Sequence, residues 1–390
     1  MSAVRDVVLA SLESWDDVWR RNQHLVTGLL RRDPATRVLF VEPPVDLAHD
    51  VVRRATLRPG QGLRPGPGIA GVEPGRLWLY EPTKLLPRRV DPGGDRRRAR
   101  ATARAARRAG LTDPVLWIND PRVAGLLDVT PWPAVYDITD DWVVADRPAA
   151  ERDRLVRGEM LLLERAAAVT VCSPALLARK EANGPVTLVT NGVDVERYRR
   201  PAARPADLPS GPVVLYVGTL HRDRLDVDLC VRVQASLGTS ARLVFVGPVA
   251  LGADDAARLR SAGAVLLGAR PFTAVPAYLR HADVLVVPHV VDAFTDSLDP
   301  LKLYEYRAAR RPVVATPVAG FRDSADSLVR AVPADAFAAA VRSALDGAGR
   351  DQGATLPETV TDLPTWDRQA GLFAEVLGEV SLAPRPATRP

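Results

Sequence analysis

Sulfur is scarce in this chain: 390 residues contain two cysteines, Cys172 and Cys230, and two methionines. Both cysteines fall inside apolar strand or helix patterns. A disulfide framework and a cysteine-based metal site are therefore excluded, and a cytoplasmic protein is expected. Long hydrophobic runs are also missing, since no apolar stretch reaches the ~20 residues that span a bilayer. The opening Met-Ser-Ala-Val-Arg-Asp passes directly into the strand-like Val7-Val-Leu-Ala10. It has no basic segment followed by an apolar core and a small-residue cleavage site, so no signal peptide is expected.

Apolar residues make up 47% and charged residues 25%, the balance of a soluble globular protein. The length favours two domains of ~150–200 residues over one. The net charge of +5 is unevenly spread. Arg88, Arg89, Arg96, Arg97, Arg98, Arg100, Arg104, Arg107 and Arg108 share one stretch with only Asp91 and Asp95 as acids. Its helical part, Asp95–Gly110, reads either as a solvated face or as a basic patch for anionic lipid headgroups or an anionic acceptor. Nucleic acid is not expected, because the arginines are not interleaved with aromatics and no nucleic-acid module occurs.

Strand-like runs alternate with helical patterns, which implies parallel sheets wrapped by helices. In the first half the strands are 4–10, 37–41, 76–80, 115–118, 134–136, 168–172 and 186–189, with helices 17–31, 95–110, 149–167 and 174–183. Proline density from Arg199 to Pro212 suggests a linker. Strands 213–217, 242–246, 264–267, 284–287 and 313–316 follow, with helices 226–237, 254–261, 275–281, 301–309, 334–348 and 366–380. The expected division is a first domain 1–200, a linker 201–212, a second domain 213–365, a closing helix 366–382 and a disordered tail 383–390. Two doubly wound α/β units bind ligands at the carboxyl ends of their strands, so the cleft between them is the expected site.

The loops after the strands carry the chemistry. Gly218, after Val213–Val217, allows close backbone approach to a ligand, and Arg222 or Arg224 could meet a diphosphate. This glycine belongs to neither a G-x-G-x-x-G nor a Walker loop, so a nicotinamide enzyme and a P-loop NTPase are not indicated. Asp296 to Thr316 reads as a polar loop, a helix start at Pro300 and a buried strand. Lys302 and Glu305 lie three apart on that helix. They suit either a nucleotide grip at free backbone N–H groups or an ordinary surface ion pair. His289 directly follows a strand at the cleft, whereas His24 falls inside a helix and reads as structural. Trp15, Trp19 and Trp142 could stack on sugars or serve as core and rim residues.

Taken in order, Thr-Asn191-Gly192-Val193-Asp194, Val-Leu-Tyr-Val-Gly218, Leu-Val-Phe-Val-Gly247-Pro248, Asp-Pro-Leu-Lys302-Leu-Tyr-Glu305 and Arg-Pro312-Val-Val-Ala-Thr resemble the family-4-like retaining glycosyltransferases of GT-B fold. The likeness runs from about Ala168 to Phe321. Trp366-Asp-Arg-Gln-Ala is similar to the family's closing helix, which crosses back onto the first domain. Arg21-Asn22-Gln23-His24, Glu42-Pro43-Pro44 and Tyr136-Asp-Ile-Thr-Asp-Asp141-Trp142 resemble a subgroup of capsule, teichuronic-acid and other surface-polysaccharide transferases.

The resemblance implies that Glu305 binds the donor's ribose hydroxyls. Arg222 or Arg224 with Lys302 would face the diphosphate in place of a metal, so neither metal nor cofactor is expected. Gly218, Thr219 and the Leu301 N–H would line the phosphate pocket; His289, from its place after a strand, and Asp299, which flanks Ser297, are further donor-binding candidates. The first of the family's two spaced glutamates falls on Ser297. The family's first-domain histidine has no match; Asp120, or Asp137, Asp140 and Asp141, stand near its level. Trp15, Asp140, Asp141 and Trp142 are the acceptor-side candidates. The implied reaction moves a sugar from a nucleotide diphosphate sugar, with UDP first, to a glycan, lipid-linked or small-molecule acceptor, with retention. A nucleotide-sugar 2-epimerase, a natural-product transferase and a non-catalytic sugar-nucleotide binder are the rival readings. The expected location is the cytoplasm, with peripheral contact at the inner membrane face through Arg88–Arg108.

Overall fold

The computed structural model describes residues 6–52, 56–144, 148–348 and 363–382. The expected tail at 383–390 and the first two residues of the strand at 4–10 lie outside them. The first domain runs through β1 (Asp6–Ala10), α1 (Arg21–Arg32), β2 (Arg37–Val41), β3 (Val45–Asp46), α2 (Leu47–Val52), β4 (Gly62–Pro65), β5 (Leu77–Glu81), β6 (Thr83–Lys84) and α3 (Gly94–Arg108). It continues with β7 (Val115–Ile118), β8 (Ala134–Ile138), α4 (Ala149–Arg165), β9 (Ala168–Val171), α5 (Pro174–Lys180) and β10 (Val186–Leu188). The chain then forms α6 (Val195–Arg199), β11 (Val213–Val217), α7 (Val227–Leu237), β12 (Arg242–Val246), α8 (Ala253–Ser261), β13 (Val265–Gly268), α9 (Val275–Arg280) and β14 (Val284–Val287). Last come α10 (Leu301–Ala309), β15 (Val313–Ala315), β16 (Val329–Ala331), α11 (Phe337–Ala348) and α12 (Trp366–Ser381).

An eight-stranded sheet has the order β10-β9-β8-β7-β1-β2-β5-β4, and a six-stranded sheet the order β13-β12-β11-β14-β15-β16. All pairs in both are parallel except the edge pair β4–β5. β1, β8 and β11 are buried at every position, as strands covered by helices on both faces must be. Strand order reverses at β1/β7 and at β11/β14. Loops leaving the carboxyl ends at those points diverge and open a crevice. Both crevices face one cleft. The α/β architecture of two doubly wound units is the one expected.

The differences have local causes. The first helix begins at Arg21 rather than Asp17. The Arg20 N–H is taken by Gln23 Oε1 at 3.0 Å, and the Phe272 N–H of the second domain donates to the Asp17 carbonyl at 2.9 Å. Residues 17–20 therefore run as a loop toward the cleft. The proline-rich stretch at 201–212 does not carry the crossing between domains. Tyr198 of α6 and Leu208 are already buried in the second domain's core. Asp207 accepts from Tyr278 Oη at 2.8 Å and pairs with Arg270. Proline density here marks irregular backbone strapped to one domain.

The closing helix α12 returns to the first domain, as the resemblance implied. Phe373 is fully buried with its ring 4.4 Å from that of Trp117. Ala370 packs so closely on α1 that a Cβ at Gly28 would lie 2.4 Å from its Cβ. At the start of α12, Val193 and Thr365 form a parallel bridge, and the Val193 N–H donates to the Pro364 carbonyl at 2.9 Å.

Candidate active site

A cavity of about 530 Å³ fills the cleft, walled by both domains. The second-domain wall is built on Gly218, which directly follows β11 with φ +141°, where a side chain would be strained. A Cβ there would also lie 2.7 Å from both Cε and Nζ of Lys302. Glycine therefore admits Lys302 into the crevice, where its ammonium sits 5.0 Å from the centre of the Tyr216 ring. Burial, aided by Arg224 and opposed by Glu305, pushes the Lys302 ammonium down to about 8.

Lys302 and Glu305 project from the first turns of α10. Pro300 precedes this helix, and its first N–H groups carry no side-chain cap among the described residues. They form a partial positive charge open to the cavity. Glu305 Oε1 accepts from Tyr198 Oη at 2.5 Å, and among the described residues no protein group donates to Oε2. Burial raises this carboxyl above its usual range, against the pull of Tyr198 and Lys302. His289, the first residue but one after β14, is buried; its Nε2 is 3.2 Å from Tyr216 Oη. Burial, with Lys302 and Arg224 nearby, holds it neutral, well below the ordinary imidazole value.

Arg224 crosses the cleft. It donates to Asp140 Oδ1 of the first domain at 2.9 Å and stands 5.5 Å over the Phe294 ring. Trp142 contributes the next ring, 5.5 Å from Phe294. Asn191 fastens the domains at the back of the cleft. Its N–H donates to Asp299 Oδ2 at 2.5 Å and its Nδ2 to the Asp299 carbonyl at 2.6 Å. Asp299 also accepts from Tyr304 Oη at 2.6 Å, and burial raises its carboxyl to about 6. It is a brace, with its oxygens occupied by protein donors.

Ten of the expected residues thus meet at the cavity: Gly218, Thr219, Arg224, His289, Asp299, Leu301, Lys302, Glu305, Asp140 and Trp142. Five do not line it. Arg222 is drawn outward into an ion pair with Asp255 of α8 and is largely exposed. Asp120 caps the turn that follows β7, accepting the Arg122 N–H at 2.9 Å, and pairs with the Arg122 guanidinium. Ser297 is wholly buried, its hydroxyl donating to the Phe294 carbonyl at 2.7 Å. Asp141 is buried against Arg179 and Lys180. Trp15 packs edge-on against Phe40 in the first domain. Asp137, also at the level of the family's histidine, is fully buried and receives Arg21, Trp117, Asn119 and Thr170, which makes it an anchor of the first sheet.

The fold brings to the cleft Glu13, which the sequence patterns did not single out, together with Trp19, read as a sugar-stacking or rim candidate, and His24, read as structural. Glu13, on the loop after β1, lines the cavity, and burial raises its carboxyl to about 7 despite Arg20. Its only sequence signal was position after a strand at the switch point. On the same side Trp19 stacks on Phe272 at 4.1 Å across the domains, and Arg197 lies 4.5 Å over Phe272. His24 stacks on Trp366 at 4.4 Å, and burial, with Arg197 nearby, holds it neutral, down to about 3. Among the described residues no group of three or more His, Cys, Asp or Glu side chains is placed to hold a metal ion, and no helix is long and apolar enough to cross a membrane.

Residues 211–347 match the family model described as glycosyl transferases group 1. A curated relative, the putative teichuronic acid biosynthesis glycosyltransferase TuaH of Bacillus subtilis (strain 168), is 26% identical over 224 residues, 52% of this chain. The match covers 55% of that protein, so the chain spans about half the length of this relative. Among solved structures, Anabaena HepE in complex with UDP and glucose superposes with a TM-score of 0.60 at 14% identity, covering 97% of each chain. A glycosyltransferase from Rickettsia africae gives 0.61 at 10% identity, covering 97% of this chain and 99% of that one. The chain has the GT-B fold, and residues 211–347, within its second domain, are similar to the glycosyl transferases group 1 family.

Proposed function

We propose that this protein is a glycosyltransferase that takes a sugar from a nucleotide diphosphate sugar, with UDP as the nucleotide, and passes it to an acceptor hydroxyl with retention. The observation that carries the reading is the convergence, at one switch-point crevice, of Glu305, Lys302, the uncapped start of α10 and the glycine that admits them. The unoccupied oxygen of Glu305 suits a ribose diol. Lys302, Arg224 and the α10 N–H groups are placed to stabilise the charge that builds on a departing diphosphate. The UDP and glucose bound to the Anabaena structure of the same fold support that donor class.

In this reading the leaving phosphate oxygen takes the acceptor's proton on the face from which it departs, so retention needs no protein nucleophile. The chain's part is to position both substrates and to exclude water. The acceptor enters from the first domain, past Asp140, Trp142 and Glu13. The likeness to TuaH supports a cell-surface glycan as product. The same reading places the protein in the cytoplasm, touching the inner membrane face through the arginines of 88–108. Titration of UDP by calorimetry tests the donor site: Glu305→Ala is expected to weaken binding roughly tenfold to a hundredfold, the loss of hydrogen bonds to a charged group. Unchanged affinity overturns the donor assignment, and a screen of UDP-, GDP- and TDP-sugars for hydrolysis identifies the donor.

A further inference from the structure

The arginine-rich stretch is not uniform in the folded protein. Asp91 and Asp95 are both engaged: Asp91 pairs with Arg97, and Asp95 with Arg98 and, at 2.6 Å, with Arg88. Arg89 has no carboxylate partner among the described residues, and neither does Arg154 on α4, which the fold brings beside it. These two, with Lys84, Arg88, Pro87 and Val90, line a surface hollow of about 500 Å³. Lys84 is itself paired with Asp46.

The segment that passes along the hollow is apolar and exposed. Leu85 is 66% exposed, Leu86 48% and Val90 67%. Large aliphatic side chains this open, three within six residues and ringed by cations, are poorly suited to water alone. The ordinary account of a solvated basic helix explains the arginines of α3 but not these leucines. Position adds a second constraint. The loop from Leu85 to Gly93 follows β5 and β6, and β5 is parallel to β1. It therefore emerges at the edge of the sheet from which the loop bearing Glu13 and Trp19 enters the cleft.

We propose that this segment is a docking surface for an anionic bilayer, with Leu85, Leu86 and Val90 entering the boundary between headgroups and acyl chains and Arg89 and Arg154 meeting lipid phosphates. Aliphatic residues flanked by cations match both layers of such a surface. The mouth of the cleft then faces the membrane, so an acceptor held in the bilayer reaches the site by diffusion in two dimensions. That last consequence rests on the transferase reading; the docking itself does not.

Sedimentation of the full chain with vesicles tests the proposal without any turnover. Vesicles of phosphatidylglycerol and phosphatidylcholine are expected to carry the protein down at low salt and to release much of it at high salt, whereas pure phosphatidylcholine vesicles leave it in solution. L85D/L86D and R89E/R154E are each expected to lower the bound fraction severalfold. Circular dichroism and UDP affinity should stay unchanged in both variants, since all four side chains are exposed and none lines the cleft cavity. Failure to sediment, equal binding to neutral vesicles, or indifference to both double substitutions overturns the docking surface. A failed donor assignment would show instead in the UDP titration, so the two results can be told apart.

Discussion

Lys302 occupies a position that disfavours its own charge. Burial and Arg224 together bring its ammonium down to about 8, while the same burial makes that charge effective toward an anion. Below that pH the residue is protonated before a donor arrives; above it, binding a diphosphate must take up a proton. Affinity for a UDP-sugar is therefore expected to be flat near neutrality and to fall above about pH 8, by at most about tenfold per pH unit. Calorimetry across that range checks this, and Lys302→Met should bind more weakly and lose the dependence. The sequence disclosed Lys302, Glu305 and Gly218 because their chemistry is local: a turn, a helix start and a glycine after a strand. It could not separate Arg222 from Arg224, two positions apart in one irregular loop. Asp255 on α8 claims the first and Asp140 across the cleft holds the second. Asp141 was hidden by the same cause, since Arg179 and Lys180 hold it from a distant helix, whereas Asp120 and Ser297 are turned aside by near neighbours, Arg122 and Phe294.

At the level of elements, the long buried strands and their helices were legible from periodicity, since covering both faces of a sheet forces continuous apolar runs. The edge strand β4, the two-residue strands β3 and β6, and β16 were not. They are short, half-exposed or interrupted by glycine and proline, and hydrogen bonding to a neighbour defines them more than composition does. The start of α1 was misplaced because Phe272, which draws out residues 17–20, belongs to the other domain. α12 is legible as an amphipathic helix, but its destination is visible only in the fold. Phe373→Ala is expected to destabilise the protein by about 3–5 kcal/mol, the cost of deleting a buried ring. Denaturant unfolding measures this. UDP affinity should change little, because Lys302 and Glu305, the proposed donor residues, lie in the second domain; a matching loss of affinity would contradict that separation.

For the whole molecule, closure rests on a few polar and aromatic contacts across the cleft. Arg224 meets Asp140, Ser173 Oγ donates to the Ser297 carbonyl at 2.7 Å, Asn191 holds Asp299 and Trp19 stacks on Phe272. Weakening one should admit water to a bound donor. Asp140→Asn is expected to raise hydrolysis of the donor relative to transfer severalfold, measured as free sugar released per nucleotide formed; an unchanged ratio would assign Asp140 a role outside closure. The parallel bridge between Val193 and Thr365 bears on the same motion. The backbone passes between domains twice, once outbound near Gly192 and once returning near Thr365, and the two passages run side by side. A Cβ at Gly192 would lie 2.7 Å from the Trp366 nitrogen, so they are in close contact there. Two covalent connections held together at one place act as a single hinge: they permit rotation about one line and resist sliding or twisting of one half against the other. Opening and closing would therefore have one main degree of freedom, and the two walls of the cleft, Lys302 and Glu305 on one side and Asp140 and Trp142 on the other, would return to the same register after each cycle.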